Sequence, residues 1–222
     1  MKASLAAIEA AVSTQLVSLV SIRIAKTDTI ASQEEMEARV KELTRRILQL
    51  KETNTFHLVV SSDWVTTVDA SSGVGVHVKE GQRTMIQGIR ERLGKSVLIG
   101  TSAHSIESAV DAVALHTPDY LFVGTCYETE SHPEKGAPQL EGPSLPGQVA
   151  ESIRMKFGVA PIVLAIGGID ETNCWEPVGK YGADGVALIR AVLQASDPAD
   201  AVRKIHRTMQ ASGIHRQAPT AP

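Results

Sequence analysis

Two periodicities alternate along the chain. Short runs of branched apolar residues recur at 16–24, 56–62, 73–78, 96–100, 119–124, 161–166 and 184–189. Several of them lack alternating polar positions, the pattern of parallel strands buried on both faces. Between most of them apolar residues repeat at helical spacing. Met36, Val40, Leu43, Ile47 and Leu50 form one stripe, and Met85, Ile86, Ile89 and Leu93 form another that Gly94 ends. Ser105 is placed to cap a helix buried through Ile106, Ala109, Val110 and Val113. Asp197 with Pro198 opens a last helix buried through Val202, Ile205 and Met209. At the start, Leu5, Ile8 and Val12 share one helical face and Glu9 interrupts the apolar residues, which predicts an amphipathic helix rather than a signal peptide.

Strand–helix alternation with buried strands leaves two α/β architectures, a (β/α)8 barrel of the TIM type and a doubly wound sheet. No GxGxxG follows the first strand, while glycine-associated turns follow the last two, where barrels commonly place phosphate. The barrel is favoured. Only seven runs read as strands, and none precedes the helix containing Leu5, Ile8 and Val12. The expectation is a barrel lacking its first strand, with an edge left open or covered by another segment or chain. Residues 1–212 read as a single domain and 213–222, with the stretch RQAPTAP, as a disordered tail.

Composition narrows the partners. With 22 basic and 25 acidic residues the net charge is −3, which gives no electrostatic footing for nucleic acid. No apolar run reaches the ~18 residues of a membrane span. A small-molecule ligand is the expected partner, and self-association into a homo-oligomer stays open. Cys126 and Cys174 are the only cysteines, too few for a disulfide framework, so reduced thiols in a cytoplasmic, cytosol-like compartment are expected. The charged run QEEMEARVKELTRR reads as a solvated helix face with i,i+4 pairs, Trp64 and Trp175 as helix-side packing, and Cys126 as a buried small residue.

The stretch PIVLAIGGIDETN, residues 161–173, breaks from a buried strand into two adjacent glycines. Gly167 and Gly168 admit dihedrals and close approaches that other residues do not, and Asp170 can cap a helix starting at Glu171. Backbone N–H groups there can face a phosphate. A tight turn explains the same pair equally well.

SVLIGTSAHSIESAVDA, YLFVGTCYETESHPEKG, LAIGGID and YGADGVALI follow one another in the order and spacing of the thiamine phosphate synthase and TenI-like thiazole tautomerase superfamily. Upstream, IRIA, VVSSD and GVGVHV resemble degraded forms of three further motifs. The resemblance implies a barrel whose strand-end loops hold a thiazole phosphate, with the phosphate against the backbone of Gly167 and Gly168 and of Ile189 and Arg190. Arg190 stands where the family usually has a small serine, and either adds a charge-assisted bond to phosphate, crowds the site, or is a solvated arginine at a helix start.

Within that superfamily a synthase joins a pyrimidine diphosphate to the thiazole phosphate with Mg2+ and cationic side chains on the diphosphate. The Gln-x-Arg-Glu-Lys motif of synthases corresponds to 21–25 here, so Arg23 survives while the glutamine and lysine do not, and Lys26 is one position off. The Asn-Asp pair corresponds to Ser62 and Asp63, leaving Asp63 as a candidate metal ligand. The second metal aspartate falls at Gln82, with Glu80 or Glu91 able to substitute only after a loop shift. His132 replaces a lysine in 129–132. A tautomerase instead moves a ring double bond by proton transfer and requires no cofactor. His104, in TSAHS, matches the histidine such enzymes use, and a side chain titrating near neutrality suits that role. Thr129 and Ser131, with Arg23, Ser102 and His132, are the expected substrate-binding side chains. His77 is expected to pack rather than to catalyse. The resemblance therefore implies, first, a metal-independent thiazole tautomerase, with a Mg2+-dependent synthase and a non-catalytic phosphate-ligand protein or partner subunit as alternatives.

Overall fold

A computed structural model of the chain describes residues 2–24, 32–129 and 136–212. All seven apolar runs form strands: β1 (Leu19–Ile22), β2 (His57–Ser61), β3 (Gly75–Val78), β4 (Ile99–Ala103), β5 (Tyr120–Val123), β6 (Ile162–Ile166) and β7 (Gly185–Ala187). Each pairs in parallel with its sequence neighbours, in the order β1 to β7. Helices carry the chain back between strands: α2 (Gln33–Leu50), α3 (Met85–Leu93), α4 (Ile106–His116) and α5 (Leu145–Phe157). The first helix, α1 (Lys2–Val12), packs with the short α6 (Arg190–Leu193) and with α7 (Pro198–Ala211). The sheet curls into an open barrel, and among the described residues β1 and β7 pair with no partner across the gap. The expected incomplete barrel is therefore present.

Strand alternation sorts the side chains. Leu58, Val60, Val76, Val78 and Ile99 point outward and bury against Met36, Val40, Ile47, Ile86 and Ile89 of α2 and α3. Leu121, Val123 and Val163 do the same against α4 and α5. Each fully buried aliphatic side chain contributes about 1.5–3 kcal/mol, so these layers dominate the fold's stability. Inward, Val59, Tyr120 and Phe122 fill the barrel with Leu19, Leu98, Leu164, Ile166 and Ala187.

The helix ends follow local chemistry. Ser32 and Glu35 close a capping box on α2, Ser105 Oγ accepts from Ser108 N at 3.0 Å, and Asp197 Oδ1 from Asp200 N at 2.9 Å. Glu42 pairs with Arg46 at 2.6 Å on the solvated face of α2. Trp64 is fully buried and Cys126 is buried.

Several local expectations need correction. Met85 and Ile106, expected on buried helix faces, are each 37% exposed at the first residue of α3 and of α4. No α-helix starts at Glu171: Asp170 Oδ1 accepts from Thr172 N at 2.8 Å and Thr172 Oγ1 at 2.7 Å, which closes a turn, and a five-residue π-helix follows at Glu176–Lys180. Capping chemistry is shared by turns and helices, and here the turn won. Trp175 is 42% exposed, with Nε1 donating to Thr172 O, and does not pack in the core.

Candidate functional site at the C-terminal strand ends

The loops following the strands surround one mouth of an open cavity of about 1920 Å³, lined by Arg23, Ser102, His104, Thr129, Gly167, Gly168, Ile189 and Arg190 among others. Parallel strands in register deliver these residues to one end. Ser131 and His132 lie outside the described residues, as does the 213–222 tail.

His104 follows β4 and is held from three sides. Its Nδ1 bonds the carbonyl oxygen of Gly124, at the end of β5, and lies 3.3 Å from Glu141 Oε1; its Nε2 lies 3.7 Å from Glu80 Oε2. A carbonyl oxygen only accepts, so Nδ1 carries the proton and Nε2 is left to act as base or, once charged, as acid. Both carboxylates are themselves positioned. Glu141 Oε2 accepts from Thr125 N at 2.5 Å while Thr125 O accepts from Glu141 N at 3.1 Å. Glu80 Oε1 accepts from Ser108 Oγ and lies 3.4 Å from the Arg83 guanidinium. Burial pushes the Arg83 guanidinium down, and Glu80 and Asp111 oppose that shift. The role of Glu141 was not legible in the sequence, because its loop carries no motif and only tertiary folding brings it to His104.

His77 faces into the barrel. Nδ1 meets Tyr120 Oη and Nε2 meets Ser102 Oγ, each at 3.0 Å, and the ring stacks on Phe122 at 4.5 Å between centroids. Ser102 thus takes part in an interior network as well as lining the cavity.

The paired glycines both have positive φ, +101° at Gly167 and +63° at Gly168. A Cβ would stand 2.5 Å from Thr125 Cγ2 at the first and 2.4 Å from Glu128 O at the second. The loop after β6 therefore lies directly on the loop after β5, and the turn alone already requires glycine. Beside it, Arg190 Nη2 donates to Thr129 Oγ1 at 3.0 Å, joining the ends of β7 and β5.

Asp63, the candidate metal ligand, is engaged by a cation of the chain itself. Its Oδ2 pairs with Lys79 Nζ at 2.5 Å, and Gln82 accepts from Ser62 Oγ at 2.5 Å. Glu91 is turned away on α3, bonded to Gln87. Among the described residues no group of three His, Cys, Asp or Glu side chains could hold a metal ion. Mg2+ takes one or two carboxylates with water and substrate phosphates completing its shell, and here the candidate carboxylate is already paired with an ammonium, so the set fits the ion poorly.

A family model described as thiamine monophosphate synthase matches residues 1–192. The thiamine-phosphate synthase of Chloroflexus aurantiacus is 33% identical over 180 residues, covering 80% of this chain and 77% of the relative. That of Clostridium acetobutylicum is 32% identical over 177 residues, covering 79% and 78%. Among solved structures, thiamine phosphate pyrophosphorylase from Pyrococcus furiosus superposes with a TM-score of 0.64 at 24% identity, over 96% of this chain and 90% of that one. The 3-hexulose-6-phosphate synthase from Salmonella typhimurium gives 0.57 at 16% identity, over 94% and 92%. These likenesses support the same curled barrel, and with the match over residues 1–192 they lead to one conclusion: the chain belongs to the thiamine monophosphate synthase family.

Proposed function

We propose that the chain is an enzyme of thiamine biosynthesis that couples a pyrimidine diphosphate to a thiazole phosphate. The observation that carries this is the identity to thiamine-phosphate synthases across about four fifths of the chain, rather than any single residue. It displaces the tautomerase expectation as the leading reading. In the reaction the thiazole nitrogen attacks the pyrimidine methylene carbon, and the C–O bond to diphosphate breaks with the electron pair leaving on oxygen. Gly167, Gly168, Ile189 and Arg190 take the thiazole phosphate, with Thr129 held alongside by Arg190. Arg23 and Lys79 face the leaving diphosphate at the ends of β1 and β3. Asp63, already paired with Lys79, is a poor ligand for Mg2+, so Arg23 and Lys79 meet the charge on the leaving diphosphate.

The test is incubation of the purified chain with both substrates and detection of coupled product and released diphosphate by mass spectrometry. No product, with Mg2+ or with chelator, sinks the reading.

His104 favours a second reading. A histidine that lines the cavity with Nε2 left unprotonated, and carboxylates on both sides of the ring, suits moving a proton on a thiazole carboxylate phosphate. Isomerisation of that compound without any pyrimidine substrate would establish it. Binding without turnover in either assay would leave a non-catalytic phosphate-ligand protein.

A further inference from the structure

One lysine changes what the ends of the first three strands can bind. Ser61 and His77 are register partners on β2 and β3, and Asp63 and Lys79 each stand two residues further along. Their side chains meet with Nζ 2.5 Å from Oδ2, the carboxylate 14% exposed and the lysine 47% exposed. Ser61 Oγ lies 3.5 Å from the same carboxylate oxygen. Among the described residues the nearby groups offer no second carboxylate to share an ion with Asp63. Gln82 is neutral and engaged by Ser62, and Glu80 is drawn toward Arg83, Ser108 and His104. A divalent ion on Asp63 would have to displace the ammonium or sit beside it, against like-charge repulsion.

We propose that Lys79 stands in for a divalent cation on Asp63, and that the mouth over β1 to β3 takes a phosphate or diphosphate group directly on Lys79 and Arg23, without Mg2+. Both side chains line the cavity. Asp63 occupies one face of the ammonium and fixes its position, while the exposed side of Lys79 keeps N–H donors for phosphate oxygens. Holding the long side chain in place beforehand reduces the entropy lost when an anion binds. The ligand class rests on the thiazole phosphate and diphosphate reading above; the exclusion of metal rests on the donor set alone.

Calorimetry of the full chain with inorganic diphosphate in EDTA should show binding, and added Mg2+ should not tighten it. Lys79→Met should weaken that binding about tenfold, the scale of one charge-assisted bond, and Lys79→Arg should retain most of it. In electron paramagnetic resonance, Mn2+ titrated into the wild-type chain should remain free. Diphosphate binding that disappears in EDTA and returns with Mg2+ overturns the inference and leaves the synthase reading intact. So does Mn2+ that wild type retains and Asp63→Asn releases, and absence of diphosphate binding under both conditions overturns it too. Chelator-resistant diphosphate binding with no coupled product upholds the inference and removes the synthase reading.

Discussion

Tyr120 lies with its ring against the α-carbon of Gly100, so that a methyl group there would stand 2.0 Å from Cζ. The missing side chain on β4 is the space in which the ring of the adjacent strand rests. From that position Tyr120 Oη reaches His77. Gly100→Ala should push the ring out and break this bond, with a loss of about 1–3 kcal/mol from overpacking a filled interior. Urea denaturation measures it, and Tyr120→Leu in the same background should recover part of the loss.

The His77 imidazole should confer pH dependence on stability. Burial, reinforced by the Arg23 guanidinium, holds it down at about 3 from an ordinary 6.5. The unfolded chain therefore takes up a proton near 6.5 that the folded chain does not accept until about 3. Between those values the unfolded state binds more protons, so this contribution is complete above 6.5 and is lost as the pH falls toward 3. Melting temperatures from pH 7.5 down to 4.5 should fall more steeply for wild type than for His77→Gln. Proton NMR should show a neutral imidazole at pH 5.

The glycines proposed to meet phosphate give a different kind of test. At Gly168 a methyl group meets Glu128 O at 2.4 Å on a backbone with φ +63°, so Gly168→Ala should cost about 1–3 kcal/mol of stability whatever binds there. Arg190→Met is the cleaner probe of the ligand. It should weaken binding of a thiazole phosphate about tenfold, and affect the dephosphorylated alcohol little. Calorimetry with the two compounds distinguishes the cases, and equal losses for both would remove Arg190 from the phosphate site.

His104→Gln separates the two reactions. Removing a general acid–base lowers a proton transfer by about 10²–10⁴, so isomerisation of a thiazole carboxylate phosphate should nearly vanish. Coupling, which needs no proton removed by His104, should fall far less. Steady-state rates of both reactions on one preparation decide it.

What the sequence disclosed and what it withheld divide along a physical line. The run Tyr120–Val123 announces itself because a strand covered on both faces needs apolar residues throughout, whereas Ile162–Ile166 is equally apolar although only one of its faces is buried. Ser105 and Asp197 were readable as caps because capping is local. Asp170 misled for the same reason, since its side chain can close a turn as readily as open a helix. The pairing of Glu141 with His104 across 37 positions, read from their residue numbers, exists only once β4 and β5 are adjacent. Lys79 was within reach, as the residue directly after β3, but its partner Asp63 was legible only as a carboxylate and not as one already holding a cation.

The gap between β1 and β7 grades the barrel. In a closed barrel every strand is held along two seams; here, among the described residues, the outermost strands have one each, and every seam joins consecutive strands. Helix α1 packs on α2 beside one outer strand and on α6 and α7 beside the other, so loosening at the gap involves both edges and that helix together. His104 stands at the end of β4, the middle strand. Ile189 and Arg190 follow the outermost one, and Gly167 and Gly168 the next. A phosphate gripped by those residues would stitch the weakest unit of the sheet to its neighbours, so that ligand occupancy and the integrity of the barrel's free end become one equilibrium.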